Sequence, residues 1–221
     1  MSAPRPEWMA RVLDAVGEEL PEAFSTFAPP VDPDRRSAVL MLFAPSADGG
    51  SDVVLTARSR DLRAHPGQVS FPGGRVDPTD AGPVEAALRE TEEEVGVDPA
   101  SVDVVGEMPA LFLTPSGNAV TPVLGWWPTP GEVRVVDPAE VERVERVPLA
   151  DLLDPGRRFT VSHPSGYSGP GFEAGGLFVW GFTALLLGAV FDLAGLSEPW
   201  DKKVTRPIPE HVLSDWARSR N

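Results

Sequence analysis

The sequence predicts an α/β fold in which helices cover both faces of a mixed β-sheet, an α/β/α sandwich. Two observations support this prediction. Segments rich in valine and leucine alternate with turn residues along most of the 221-residue chain, which is typical of strands. Two or three helix-like segments lie between them, and strands interleaved with helices pack as layers. The chain shows no internal repeat and no stretch that resembles a second domain, so we expect one domain over residues 1–221 with N-terminal and C-terminal extensions.

The first third of the chain is expected to form one helix, a connector and two strands. Prolines end helices and mark turns, which divides this part of the sequence clearly. The expected elements are, in order, a helix from Pro6 to about Leu20, a proline-rich connector through Pro33, strands at Ser37–Phe43 and Asp52–Arg58, and a loop or short strand at Ala64–Pro78.

An amphipathic helix is expected next, from Val84 to Val95. Its apolar face is formed by residues spaced as helix neighbours, namely Val84, Leu88, Thr91 and Val95. Glu90, Glu93 and Glu94 fall within roughly 100° of arc on another face, so we expect them to form one cluster pointing outward. Such like charges repel and raise one another's pKa unless a cation lies between them. Mg²⁺ or Mn²⁺, which bind carboxylate oxygens, would relieve the repulsion.

Arg89 precedes Glu93 by four residues and is expected to orient that carboxylate. Taken alone, this charged run also fits an ordinary solvated helix face. The Gly73-Gly74 turn upstream of the helix favours the metal site, because a glycine turn before an acidic helix suits a divalent metal and a phosphate.

Beyond this helix the sequence predicts strands, a long loop and a closing helix. The expected elements are strands at Val102–Leu113 and Asn118–Trp127 joined at Thr114–Gly117, a strand at Val133–Val136, short helical turns in Ala139–Leu153, a long loop at Pro155–Gly176, a helix near Thr183–Leu193, and a tail at Pro199–Asn221 that wraps the surface or mediates homodimer formation. The longest apolar run, Leu177–Leu196, is interrupted by glycines and Asp192 and is expected to be a buried helix.

A locally basic segment lies between the second strand and the acidic helix. From residue 58 to residue 75 a single acid, Asp61, is outnumbered by Arg58, Arg60, Arg63, Arg75 and His65. In a chain of net charge −14, a basic segment beside an acidic helix suits a polyanion bound through arginine and metal. The alternatives are arginines paired with nearby acids and, for His65, a turn residue.

The acidic helix and the glycine turn resemble the Nudix box, in which Gly, five residues, Glu and seven residues precede Arg-Glu-apolar-any-Glu-Glu-any-Gly-apolar. Arg89 to Val97 matches the second half closely. Counting from Gly74, the family's first Glu is replaced by Asp80, and eight residues rather than seven follow it. Thr91 stands where the family has an aliphatic residue.

The preceding segment resembles the extension that marks the coenzyme A pyrophosphatase branch of this family. It reads Leu55-Thr-Ala-Arg58-Ser, then Leu-Arg63, His65-Pro-Gly-Gln68 and Phe-Pro-Gly73-Gly. That branch also commonly has the longer spacing and an acid like Asp80. The two motifs span about residues 55 to 97, under a quarter of the chain.

The resemblance implies an α/β/α sandwich and a hydrolase in which water attacks one phosphorus of a diphosphate. It implies Mg²⁺ or Mn²⁺ held by Glu90, Glu93 and Glu94 and by the Gly73 carbonyl. Glu140 is either a further ligand or a surface acid. Arg89 is carried over as a catalytic orienting residue, and the general base is left open. Substrate binding is assigned to Arg58, Arg60, Arg63, His65, Gln68 and Arg75.

The function implied is hydrolysis of coenzyme A or its derivatives to 3′,5′-ADP and 4′-phosphopantetheine. The alternatives are another nucleoside diphosphate derivative, such as ADP-ribose or NADH, and a sensor that binds a nucleotide without cleaving it. Because box glutamates are not needed for binding alone, they favour the enzyme.

Composition narrows the classes of partner. The absence of cysteine excludes disulfides, thiolate zinc sites and cysteine nucleophiles. The acidic balance argues against nucleic-acid and anionic-membrane binding, which need basic surfaces. Residues 1–20 lack the apolar core of a signal peptide, so we expect a cytoplasmic protein.

Overall fold

The computed structural model describes residues 2–18, 22–62, 65–113, 117–162, 166–210 and 212–213. The helices are α1 (Glu7–Glu18), α2 (Glu22–Thr26), α3 (Pro83–Val95), α4 (Leu149–Leu153) and α5 (Gly181–Ala194). The strands are β1 (Arg35–Pro45), β2 (Ser51–Arg58), β3 (Val69–Ser70), β4 (Gly73–Arg75), β5 (Asp103–Glu107), β6 (Leu111–Leu113), β7 (Asn118–Trp126), β8 (Val141–Pro148), β9 (Arg158–Ser162), β10 (Ser168–Ala174), β11 (Leu177–Trp180) and β12 (Thr205–Pro207). No helix among the described residues is long and apolar enough to span a membrane.

The larger sheet is mixed, as the sequence predicts. Its central order is β3-β2-β1-β7-β5, and β4, β6 and β8 pair with β1, β7 and β2 respectively. β1 and β7 run parallel over nine residue pairs, from Arg35 opposite Asn118 to Phe43 opposite Trp126, whereas the other pairings in this sheet are antiparallel.

Alternate residues of β1 enter two different cores, because successive side chains of a strand point to opposite faces of the sheet. Met41 and Phe43 pack into the core that includes residues of α1 and α5. Leu40 and Leu42 pack on the opposite side with Ala86 of α3. The sheet is therefore covered by helices on both faces, which confirms the α/β/α sandwich.

The segment Pro155–Gly176, expected to be a long loop, instead contributes two strands to a second sheet of order β11-β10-β9-β12. One of its glycines, Gly171, lies within β10 and allows close packing there. A Cβ at Gly171 would lie 2.5 Å from Val161 and 2.6 Å from Phe159. Glycine in a strand commonly marks such close approach, so the glycine content was misleading.

The described part of the tail follows the first of its two expected roles, wrapping the surface. Residues 205–207 form β12, which pairs in parallel with β9, so this part of the tail wraps the protein's own sheet. Residues 211 and 214–221 lie outside the described residues, as do the end of the first predicted helix at Leu20 and most of the turn at Thr114–Gly117.

After α3, one further prediction is wrong and another is only partly right. Val133–Val136 is not a strand, because its backbone caps α3: the amides of Arg134 and Val136 donate to the carbonyls of Val95 and Glu94 at 3.2 and 3.0 Å. Ala139–Leu153 was expected to contain short helical turns, and α4 is one, but Val141–Pro148 before it is strand β8. The spacing of valines every three residues in β8 resembles a helix, while pairing with β2 decides the structure.

Candidate active site

Helix α3 is positioned by its apolar face and its ends. Ala87 and Val95 are fully buried, and Gly96 ends the helix in the left-handed conformation with φ 73°. Thr91, which replaces an aliphatic residue of the family pattern, is also buried. Its hydroxyl donates to the Ala87 carbonyl at 2.6 Å. The polar atom is therefore satisfied within the helix, and Thr91 can occupy an apolar position.

Glu94 does not point outward as predicted. It is only 3% exposed, and the amide of Gly73 donates to its Oε2 atom at 3.0 Å. Glu90 lies one helical turn earlier, against the same strand β4. A Cβ added to Gly74 would lie 2.4 Å from the carboxyl carbon of Glu90. The two glycines of β4 thus allow the carboxylate face of α3 to approach the sheet closely.

Glu140 joins these two glutamates from the loop before β8. One carboxylate oxygen each of Glu90, Glu94 and Glu140 lies within 4.8 Å of the others, and we call these three residues the carboxylate cluster. The Glu140 carbonyl accepts a hydrogen bond from the amide of Ser59 at 2.8 Å, which ties this loop to the end of β2. Two segments far apart in sequence therefore meet at one site.

Glu93 lies outside the carboxylate cluster. Its side chain is 58% exposed, and its Oε2 atom accepts from Nη1 of Arg89 at 3.0 Å, which is the contact that the spacing predicts. The same Nη1 atom also donates to Oε1 of Glu90 at 3.1 Å. Arg89 therefore bridges the exposed glutamate and one member of the cluster.

Asp80 holds the other side of the Arg89 guanidinium, a role that the sequence left in doubt. Nε and Nη2 of Arg89 donate to the two Asp80 oxygens at 3.0 and 3.1 Å, a bidentate contact. The amide of Asp77 donates to Asp80 Oδ2 at 2.7 Å and fixes that carboxylate in turn. The hydrogen bonds from Arg89 lower the pKa of Asp80, and the same contact raises the pKa of Arg89, so the pair stays ionised. Asp80 therefore orients Arg89.

Burial and repulsion make the cluster costly to ionise. Burial, with a smaller contribution from the charges of Glu90 and Glu140, raises the pKa of Glu94 to about 7, against opposing contributions from the Gly73 amide and Arg58. Burial also raises the pKa of Glu90, although Arg89 opposes that shift. A nearby cation would remove this cost.

The cluster fits a hard divalent cation. Its potential ligand atoms are carboxylate oxygens, which Mg²⁺ and Mn²⁺ prefer, and they converge from a helix and a loop. Burial raises the pKa of both Glu90 and Glu94, so a bound cation would stabilise their ionised forms.

The predicted substrate-binding residues are only partly brought together. Arg58 lies near enough to Glu94 and His65 to lower the pKa of both, and its Nε atom is buried without a hydrogen-bond partner. Arg60 is paired with Glu142 at 3.2 Å, as its alternative interpretation states. Arg75 is exposed at the end of β4, and Arg63 lies outside the described residues.

His65 and Gln68 form the turn that follows Arg58. His65 has a positive φ of 55°, uncommon for a residue other than glycine, and its Nδ1 atom lies 3.2 Å from Oε1 of Gln68. The backbone of Gln68 returns to β2, where its carbonyl accepts from the Arg58 amide at 2.9 Å. Burial lowers the pKa of His65, so the neutral imidazole is favoured. This geometry supports the turn interpretation of His65.

Comparison with known proteins decides the family. The model of the NUDIX domain matches residues 34–163, more than half of the chain. The chain belongs to the Nudix hydrolase family. The matched range includes β4, α3, Glu140 and the turn from Arg58 to Gln68, and thus every residue discussed above.

Individual relatives add little about the substrate. The chain is 41% identical over 157 residues to the uncharacterized Nudix hydrolase NudL of Escherichia coli K12, covering 68% of this chain and 78% of that protein. A solved C. elegans Ap4A hydrolase binary complex is 24% identical with a TM-score of 0.46, covering 54% of this chain and 83% of the other. A Nudix hydrolase from Alicyclobacillus acidocaldarius is 18% identical with a TM-score of 0.48, covering 77% and 100%. These structural similarities are too weak to bear on activity.

Proposed function

We propose that this Nudix protein hydrolyses the diphosphate of coenzyme A or its thioesters, giving 3′,5′-ADP and 4′-phosphopantetheine, which stays acylated if the substrate was. One observation carries the proposal. The segment from Arg58 to Gln68, which resembles the extension of the coenzyme A branch, meets the box helix α3, because Arg58 lies close enough to Glu94 to lower its pKa. A diphosphate bound there would be within reach of both.

The proposed metal ligands are Glu90 and Glu94 of α3 and Glu140 of the loop before β8, with Glu93 and the Gly73 carbonyl as the other positions that the family pattern suggests. When bound, Mg²⁺ or Mn²⁺ supplies Lewis acidity and neutralises negative charge on the diphosphate oxygens. The geometry favours Glu94 over Glu93 as the essential ligand, since Glu94 is inside the cluster and Glu93 is paired with Arg89.

The protein groups have separable roles in this proposal. The Gly73 amide fixes Glu94, while Asp80 and Arg89 fix Glu90, so the carboxylates are oriented before substrate binds. The guanidinium of Arg58 binds a diphosphate oxygen by a charge-assisted hydrogen bond. A carboxylate oxygen of the cluster accepts the proton of the attacking water, whose oxygen ends on one phosphate while the bridging oxygen leaves with the other.

The test is a comparison of substrates under one set of conditions. The purified protein is incubated with Mg²⁺ and coenzyme A, ADP-ribose, NADH or diadenosine polyphosphates, and products are identified by mass spectrometry. We expect 3′,5′-ADP from coenzyme A at a higher kcat/KM than any product from the others. A higher kcat/KM for ADP-ribose or a dinucleotide would replace coenzyme A by that substrate. Tight nucleotide binding with no product would support the sensor alternative.

A further inference from the structure

An open surface cavity of about 380 Å³ lies between the turn that begins at Ser59 and the segment 135–142, which contains Glu140 of the carboxylate cluster. The Ser59 amide donates to the Glu140 carbonyl at 2.8 Å, so the two walls are joined directly. The residue before Ser59 is Arg58, which lies beside Glu94, and Glu140 belongs to the cluster. The segment 135–142 therefore contributes Glu140 to the cluster and its neighbours to the cavity, while the other wall begins one residue after Arg58.

The charges of the cavity disfavour an anionic ligand. Nε of Arg60 donates to Oε2 of Glu142 at 3.2 Å, so these two lining charges largely offset each other. Asp61, a third lining residue, adds a negative charge. A phosphate placed here would face a net negative charge from the described lining residues, whereas groups that donate hydrogen bonds would find two carboxylates as acceptors.

The rest of the lining is aliphatic, from Val135, Pro138 and Val141. Among the described residues that line the cavity, none carries an aromatic ring on which a nucleobase would stack. The volume lies at the low end of the range of about 300 to 1,000 Å³ found for small-molecule sites. This combination suits a flexible chain of methylenes and amides better than a planar base.

We propose that this cavity binds the pantetheine arm of the substrate, a neutral chain with two amides, and that the adenosine half with its 3′-phosphate lies elsewhere. This inference rests on the proposed function. Amide N–H groups donate to Asp61 and Glu142, amide carbonyls accept from Arg60, and methylenes pack on the valines. The cavity thereby selects diphosphates whose second substituent is an uncharged amide chain.

The experiment fills the cavity and measures each half of the substrate separately. Val135→Trp places a large ring in the cavity, and Val104→Trp makes the same insertion on exposed β5, away from it. Isothermal titration with 4′-phosphopantetheine and with 3′,5′-ADP, both with Mg²⁺, gives the two affinities without turnover. We expect Val135→Trp to weaken 4′-phosphopantetheine binding at least about tenfold and 3′,5′-ADP binding less than about twofold. Val104→Trp should change neither.

A second variant covers the case in which Val135→Trp does not fold. Asp61→Ala removes one proposed acceptor at an exposed position and should weaken only 4′-phosphopantetheine, by about threefold or more. Unchanged 4′-phosphopantetheine affinity in the folded variants, or a larger loss for 3′,5′-ADP, would overturn the inference. Failure of the wild-type protein to cleave coenzyme A would instead overturn the proposed function, because the titrations measure the cavity independently of catalysis.

Discussion

At the scale of single residues, the site depends on a buried glutamate that the fold itself disfavours. Glu94 is enclosed by β4 and α3 and accepts one hydrogen bond from the Gly73 amide, which is too little to offset its burial. A carboxylate kept in such a place marks a functional site more often than a structural one. The free-energy cost of burying Glu94 in the metal-free protein and its proposed contribution to catalysis are both measurable.

Glu94→Gln is expected to stabilise the metal-free protein at alkaline pH. Because folding raises the pKa of Glu94 from 4.5 to about 7, the folded state holds the proton more tightly than the unfolded state. The contribution of Glu94 to the free energy of unfolding therefore falls as pH rises through that range. At about 1.4 kcal/mol per pKa unit, the gain from Gln is at most about 3 kcal/mol at pH 8. The gain should fall as pH drops and vanish only well below pH 4.5, where both the folded and the unfolded state are protonated.

Urea unfolding in EDTA at pH 5 and pH 8 measures this difference. Glu92→Gln, on an exposed side chain of the same helix, is the control and should show no such gain. Equal stability of wild type and Glu94→Gln at pH 8 would show that Glu94 is not strained by burial.

Asp80→Asn tests the orienting contact. Loss of the charged bidentate partner should free Arg89 and hence Glu90, lowering kcat about tenfold or more, as removal of outer partners of metal ligands commonly does. Asp77→Asn is the matched control, because its Oδ2 atom lies 3.9 Å from Nη2 of Arg89 and contributes little. The rate is measured with coenzyme A at saturating Mg²⁺. Equal losses in the two variants would refute a specific role for Asp80.

At the scale of elements, β4 and α3 form one unit in which the strand must lack side chains at Gly73 and Gly74. Gly74 and Glu90 are in contact where any Cβ would lie, so the glycine sets the position of the carboxylate rather than the course of the backbone. Only the end of a flexible side chain has to move when a Cβ is added. The fold should therefore survive such a change while the site does not.

Gly74→Ala is expected to weaken divalent metal binding about tenfold with little change in melting temperature, because the added Cβ displaces the Glu90 carboxylate. Gly82→Ala, where a Cβ meets nothing within 4 Å, is the control at the start of α3. Mn²⁺ titration followed by electron paramagnetic resonance gives the affinity. Wild-type Mn²⁺ affinity in Gly74→Ala would exclude Glu90 as a ligand.

Elements with strong local patterns could be predicted from the sequence, and elements that depend on distant partners could not. Helix α3 and strands β1 and β2 follow from their own periodicity. Strand β8 was missed because its valines repeat every three residues, as they could in a helix. Its conformation is determined instead by pairing with the buried strand β2, and a salt bridge of 3.0 Å joins Arg146 of β8 to Asp52 of β2. The second sheet was missed because its glycines resemble loop residues.

The candidate site could likewise be predicted from the sequence only where it depends on local patterns. The box glutamates, Arg89 and Glu140 were found from motif and spacing, and three of these five residues converge as the carboxylate cluster. The sequence alone did not show that Glu94 faces inward, since an ideal helix wheel does not indicate how close β4 approaches. Nor did it show that Arg60 is neutralised by Glu142, 82 positions away along the chain.

At the scale of the whole molecule, a strongly acidic protein is proposed to bind an acidic substrate. The net charge of −14 repels coenzyme A in general, so attraction must be local. The proposed metal at the carboxylate cluster and Arg58 beside it supply that local positive charge. The acidic cavity is proposed to accept the uncharged pantetheine arm. When the two substituents of a diphosphate differ in charge, this charge distribution thus favours one orientation of the substrate in the site.

The most direct measurement is mass spectrometry of coenzyme A incubated with Mg²⁺ and either the wild-type protein, Glu94→Gln or Glu92→Gln. We expect 3′,5′-ADP and 4′-phosphopantetheine from the wild type and from Glu92→Gln at similar rates, with Glu94→Gln at least about a hundredfold slower. Cleavage by Glu94→Gln at the wild-type rate, or no cleavage by the wild type, would contradict the proposal that the carboxylate cluster hydrolyses this diphosphate.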